Sequence, residues 1–318
     1  MNSSKFKSKI NELLSDTRQL TRIVILAGVL LVLVVVTFGG YYYYDRYYSN
    51  QSSTSENIIA QAQQAVEKNP QDPEVRLGLA EAFMVNRRYD EALGEANQVI
   101  AAYPDNQHAW LVVGVANALK GNPQDAVNPL QKFYDANKDA DMPGLNKVLQ
   151  SAAYYLGDSY LQLGQPEKAV PVLEKVVEWS QTDSDAMVKL GTAYIAVQRY
   201  ENAVTMFQAA TRFVPNYTEA YQGMAIAYQA MNEASFANYA NGMVAYSKKD
   251  YKTALDLLLK AAQAEPEFVP ALDGLGLTYE GLGDLQNAKT SYETVLKLVP
   301  EDFTATTGLQ RVEAQLNK

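Results

Sequence analysis

The sequence predicts an all-α chain: a solenoid of stacked helix-turn-helix units preceded by one transmembrane helix. Two observations lead there. Small residues recur at one slot, namely Ala80, Gly114, Gly157, Gly191, Ala225, Gly242 and Gly276. Four of the intervals are 34 residues: Ala80 to Gly114, Gly157 to Gly191, Gly191 to Ala225 and Gly242 to Gly276. A fixed period of that length marks a repeated supersecondary unit that buries its apolar face only by stacking on its neighbours. The second observation is a run of 22 uncharged residues between Arg22 and Asp45.

The N-terminal elements follow from charge and hydropathy. Residues 1–22 carry Lys5, Lys7, Lys9, Arg18 and Arg22 against only Glu12 and Asp16, whereas the whole chain has a net charge of −9. The tail is therefore basic and the body acidic. Within the tail Phe6, Ile10, Leu13, Leu14, Thr17 and Leu20 follow helical spacing. Two readings stay open for it: an amphipathic helix lying on anionic lipid, or a tail whose charges only set topology. The uncharged run 23–44 would span roughly 33 Å as a helix, against a bilayer core of about 30 Å. Tyr41 to Tyr44, with Tyr47 and Tyr48, form an aromatic belt at its far end. A cleaved signal peptide fits less well, because Phe38 and the tyrosines crowd the small residues Thr37 and Gly39 and the apolar run is too long. The chain has no cysteine, which excludes a lipoprotein anchor, disulfides and thiolate chemistry. Lys and Arg concentrate before the span, so the positive-inside rule puts the N-terminus in the cytoplasm and the repeats outside, in a single-pass cell-membrane protein. The reverse topology, a cytoplasm-facing adaptor, is the alternative.

Residues 45–55, which end in the polar run Ser-Asn-Gln-Ser-Ser-Thr-Ser, are expected to form a polar linker. The solenoid then occupies 56–318. Ile58 to Lys68, closed by Pro70, looks like a second helix without its first. Full units follow near 73–106, 107–140, 150–183 and 184–217. Gly121-Asn122-Pro123 and Gly164-Gln165-Pro166 are turn signals between the two helices of a unit. The step from Gly114 to Gly157 is 43, which implies an insertion near 135–144. The step from Ala225 to Gly242 is 17, half a period, which implies an unpaired helix near 218–232 and a change of stacking geometry beside it. Two more units run near 235–268 and 269–302, and a polar helix over 303–316 is expected to cap the last apolar face.

In the best copies the cassette reads Leu190-Gly191…Tyr194…Ala203…Phe207…Ala210…Pro215 and Leu275-Gly276…Tyr279…Ala288…Tyr292…Pro300. This pattern resembles the tetratricopeptide repeat over residues 56–316. Gly or Ala lets the two helices approach closely, the aromatic fills the gap between neighbours, and the proline stops the second helix. The resemblance implies a protein-binding array whose first helices line a concave groove. Carried over position by position, it nominates Leu77 and Glu81, Leu111 and Val115, Tyr154 and Asp158, Val188 and Ile195, and Ile226. Beyond the half-step it nominates Phe236, Tyr239, Met243 and Tyr246, then Leu277 and Glu280. The Lys, Asn and Arg clamp with which some members hold a chaperone's C-terminal carboxylate has no counterpart here. What remains is apolar and aromatic with an acidic edge, suited to apolar or basic peptide segments of other proteins. The layout of basic tail, one span and exported repeats is similar to bacterial translocon-associated and cytochrome-assembly repeat proteins.

Chemistry is not expected. An acidic body lacks the basic face that nucleic acid requires. His108 is the only histidine and stands at the start of a repeat helix. Asp135, Asp139 and Asp141 lack the glycine and terminal glutamate of a calcium-binding loop. Gly274-Leu275-Gly276 falls inside a helix rather than after a strand, so it is no phosphate loop. No catalytic residue, cofactor or metal ligand is nominated. The expected role is a membrane-tethered interaction scaffold or chaperone-like assembly adaptor, with an accessory subunit of an envelope enzyme complex as a remote alternative.

Overall fold

The computed structural model describes residues 36–40 and 50–317. Of the expected transmembrane span 23–44 only 36–40 is among them; these residues are helical, with Val36 and Phe38 exposed. The basic tail, the rest of the span and the tyrosine belt lie outside the described residues. Among the described residues no helix is long and apolar enough to cross a membrane.

Fifteen helices follow: α1 (Asn50–Lys68), α2 (Pro73–Val85), α3 (Tyr89–Ala102), α4 (Gln107–Lys120), α5 (Pro123–Asn137), α6 (Lys147–Gln162), α7 (Pro166–Trp179) and α8 (Ser184–Ala196). Then come α9 (Tyr200–Phe213), α10 (Thr218–Ala230), α11 (Ala234–Ser247), α12 (Tyr251–Ala264), α13 (Val269–Leu282), α14 (Leu285–Leu298) and α15 (Phe303–Leu316). They fall into two compact units, one ending at Arg88 and the other beginning at Tyr89.

In the first unit α1 packs along α2. Residues 50–55, expected as linker, are helical instead and extend α1 to 19 residues. Ser, Thr and Asn cost only a few tenths of a kcal/mol each against Ala in a helix. Lengthening a helix that 56–68 already nucleates is cheaper than starting one. Asp72 caps α2, its carboxylate accepting from the Glu74 amide at 2.9 Å.

In the second unit each helix packs antiparallel on the next. Aspartate or asparagine caps many of the starts: Asn106 accepts from the Ala109 amide at 2.8 Å, Asp183 from Ala186 at 3.0 Å and Asp302 from Ala305 at 2.8 Å. Within a pair the turn passes through one left-handed residue. Glycine supplies it at Gly121, Gly164 and Gly283, while Gln198, Asn232 and Lys249 adopt it as non-glycine residues.

The nine-residue insertion is shared out between a longer α5, a loop, a 3-10 turn at Pro143–Leu145 and a longer α6. The loop is tied down: the Gln150 side-chain amide donates to the Gly144 carbonyl at 2.6 Å, and Gly144 lies against Trp179. The helix expected to be unpaired at 218–232 is α10, and it is not unpaired. It packs on α9 before it and as closely on α11 after it.

The core explains the period. On first helices, Gly114, Gly157, Gly191, Gly242 and Gly276 each face a large side chain sixteen residues on: Leu130, Leu173, Phe207, Leu258 and Tyr292. For three of these knobs a second glycine on the following first helix closes on the same side chain. Phe207 is clamped between Gly191 and Gly223, Leu258 between Gly242 and Gly274, and Tyr292 between Gly276 and Gly308. The knobs are almost wholly buried. The aromatic slot reaches back to the preceding pair: Tyr160 donates to the Gln131 side chain at 2.8 Å and Tyr194 to Glu174 at 2.7 Å.

A Cβ on Gly223 would lie 2.2 Å from Phe207, whereas Gly94 on α3 has nothing within 4 Å of its position. Gly223→Ala is therefore expected to destabilise the fold by about 1–3 kcal/mol through overpacking. Gly94→Ala should stabilise it by roughly 0.5–1 kcal/mol through helix propensity. Urea denaturation followed by circular dichroism reads both, with opposite shifts of the midpoint.

Candidate peptide groove

Three first helices lay parallel stripes side by side. Tyr154, Asp158 and Leu161 come from α6, Val188, Thr192 and Ile195 from α8, and Glu219, Gln222 and Ile226 from α10, together lining a cavity of about 650 Å³. A neighbouring basin of about 620 Å³ shares Tyr154, Asp158 and Asp185 and runs on to Ala118 and Leu119 of α4. Their spacing follows from the helix period: residues three and four apart share a face, so one stripe per helix meets the cavity.

The groove is apolar at its floor and negative at its edge. Ile226 is 53% exposed although it is a large aliphatic residue, while Val188 beside it is buried. Asp158 pairs with Lys189 on α8 and accepts from Gln162 at 2.7 Å. The Tyr217 hydroxyl donates to Asp185. Burial, and then the Asp185 carboxylate that accepts its proton, hold the Tyr217 phenol well above its ordinary range. Burial followed by Asp158 and Asp185 does the same to Tyr154. Both tyrosines therefore stay neutral at physiological pH. With Asp158 balanced by Lys189, the carboxylates of Asp185 and Glu219 leave the cavity net negative.

Five of the nominated residues (Tyr154, Asp158, Val188, Ile195 and Ile226) converge on this one cavity. Leu111 and Val115 on α4 are partly buried and pack against the core. In the first unit Leu77 is fully buried, closed to a ligand, and Glu81 is exposed. The residues beyond the half-step sit differently. Phe236 and Tyr239 belong to an aromatic cluster: Phe236 stacks on Tyr228 at 5.4 Å and meets Phe268 edge-on at 4.8 Å, and Tyr239 meets Tyr221 at 6.2 Å and Phe268 at 5.1 Å. Met243 is buried, and a Cβ on Gly274 would touch its sulfur. Tyr246 lies half-buried against Tyr251 at 5.8 Å, and Leu277 is partly buried on α13. Glu280 accepts from Arg311 at 2.8 and 3.2 Å and from the Tyr292 hydroxyl at 2.5 Å, so it ties α13 to α14 and α15. Lys189, Gln162 and Tyr217 were not nominated. Tyr217 precedes its helix, where no position rule reaches, and Lys189 sits one residue beyond a nominated position.

Among the described residues no group of His, Cys, Asp or Glu is arranged to hold a metal ion. One carboxyl is unusual. Asp273 on α13 has an oxygen shut off from solvent and without a hydrogen-bond partner. Burial, and then the negative charge of Asp302, push its carboxyl from an ordinary value near 3.8 up to about 7. Between those two values the unfolded chain has released a proton that the folded chain keeps, so stability falls as pH rises through the window and the loss is complete above it. Asp273→Asn should therefore raise the thermal midpoint at pH ~8 and leave it nearly unchanged at pH ~4. Parallel melts of the two proteins measure the difference.

The tetratricopeptide repeat family matches residues 57–115, 160–227 and 269–302. Anaphase-promoting complex subunit 7 of Arabidopsis thaliana is 26% identical over 147 residues, covering 46% of this chain and 25% of that protein. Hsp70-Hsp90 organizing protein of Triticum aestivum is 20% identical over 263 residues, covering 83% and 41% respectively. The chain thus spans less than half the length of these curated relatives. Among solved structures, YrrB, described as a TPR protein with an unusual peptide-binding site, superposes with a TM-score of 0.49 at 20% identity, over 66% of this chain and 95% of its own. The C-terminal part of a TPR repeat-containing protein from Cytophaga hutchinsonii gives a TM-score of 0.47 at 18% identity, over 81% and 96%.

Proposed function

We propose, from the premise that this chain belongs to the tetratricopeptide repeat superfamily, that it is a non-enzymatic scaffold or assembly adaptor gripping a segment of another protein in the α6–α8–α10 groove. The observation that carries the reading is the exposed Ile226 in a cavity whose unbalanced charges are carboxylates. An aliphatic side chain facing water there gains by meeting an apolar ligand group, and the acidic edge selects a basic flank. Relatives whose names place them in protein assemblies, an anaphase-promoting complex subunit and an Hsp70-Hsp90 organizing protein, support the class of role. The missing carboxylate clamp argues against chaperone tails as the ligand. The uncharged run 23–44 tethers the array to a membrane, and the basic tail before it puts the repeats on the extracytoplasmic side.

The groove is tested with a fluorescent peptide of alternating Leu and Lys and its Leu/Glu counterpart, by anisotropy at low and raised salt. The Lys peptide should bind, weaken with salt and lose roughly three- to tenfold in affinity on Glu219→Lys, about 0.7–1.4 kcal/mol. Ile226→Asp should weaken it at all salt concentrations. Equal binding of the two peptides, or indifference to both substitutions, would remove the groove from the account. Topology is tested separately by adding protease to intact cells or spheroplasts. Digestion of the repeats agrees with the orientation, and their full protection would reverse it.

A further inference from the structure

The half-period is resolved by giving one helix two roles. The turn before α11 passes through left-handed Asn232 and the turn after it through left-handed Lys249, so both are of the kind found inside a pair. Ala237 fits both frames. It lies twelve residues after Ala225, as the second-helix alanines Ala203 and Ala288 lie twelve after Gly191 and Gly276. It also lies five before Gly242, as the first-helix alanines Ala186 and Ala271 lie five before those same glycines. Helix α11 is thus the second helix of α10 and the first helix of α12.

Bending in such a stack is set by which layer is in contact. On one side of α11 the first helices touch one another (α4 with α6, α6 with α8, α8 with α10), and the second helices α5, α7 and α9 are held further apart. On the other side α11 touches α13 and α13 touches α15, while α12 and α14 are the separated layer. Consecutive antiparallel partners occupy opposite layers, so α10 and α11 do. The touching layer therefore changes at α11. At the same place the glycine-clamped knob is missing: the residue sixteen after Ala225 is Asn241, half-buried and turned back onto the Ala237 carbonyl at 2.9 Å. The Tyr221, Tyr228, Phe236, Tyr239 and Phe268 cluster seals the gap instead.

We infer that within residues 89–318 the array reverses its bend at α11, so that the α6–α8–α10 groove and the inner side of α11, α13 and α15 open on opposite faces. A segment bound in the first groove cannot run on along the rest of the array. It ends at α10, and the other concave side stays uncovered.

The chain has no cysteine, so pairs of spin labels on introduced cysteines in the full chain report distances directly. Gln222 marks the first groove, Asp256 the outer side of α12 and Leu277 the inner side of α13, all at similar heights along their helices. With the reversal, the Gln222→Cys/Asp256→Cys pair shares a face. Its distance should be shorter than that of Gln222→Cys/Leu277→Cys by at least one helix layer, on the order of 10 Å. A second set on exposed positions, Gln229 with Gln263 against Gln229 with Pro270, should give the same order even if the Leu277 substitution disturbs folding. Equal distances, or the reverse order in both sets, would show a single continuous concave face and overturn the inference.

Discussion

The structure depends on a steric constraint: a large side chain of a second helix enters against glycine on its own first helix, and at Phe207, Leu258 and Tyr292 against glycine on the next first helix as well. Phe207 between Gly191 and Gly223 is the clearest case, with any Cβ on either side falling inside van der Waals contact. The same arrangement holds Leu258 and Tyr292. Each of these three knobs fastens its own partner and the next unit at once, so a single residue carries both the pairing within a unit and the stacking between units. That is how successive helix pairs within residues 89–318 are joined to one another. It also sets the approach of two of the groove helices, because α8 and α10 close on Phe207 from either side.

Where the knob fails, the protein spends aromatic residues. At the half-step the expected position holds Asn241, and five rings from α10, α11 and the residue before α13 take over the sealing. The position rule that puts Tyr154, Val188 and Ile226 on the cavity puts Phe236 and Tyr239 in a partly buried aromatic cluster, because α11 has changed its neighbours. Glu280 has likewise gained Arg311 as a partner and holds helices together. The charged and apolar cavity lies on one side of the half-step.

Much of this was legible in the sequence because the notch is glycine or alanine and recurs at a fixed interval, a signal that needs no tertiary information. Tyr154, Asp158, Val188, Ile195 and Ile226 came from the positions that the family resemblance implies, and the structure brings these five to one cavity. The half-step itself was visible as the interval between Ala225 and Gly242, but not its solution. Whether α10 stands alone or shares α11 depends on two left-handed turns at Asn232 and Lys249, neither of them glycine. A polar, Ser-rich composition suggested linker at 50–55, where the backbone continues α1 at small cost. Tyr217 and its hydrogen bond to Asp185 could not be foreseen, since the tyrosine lies between helices and its partner 32 residues away.

The most direct test of the clamp is native-state hydrogen exchange on Phe207→Ala. If Phe207 joins α8, α9 and α10, amides in all three helices should lose protection together, while α13 to α15 keep theirs. Loss of protection confined to α9 would mean that the first helices stack without the knob, and would contradict the account.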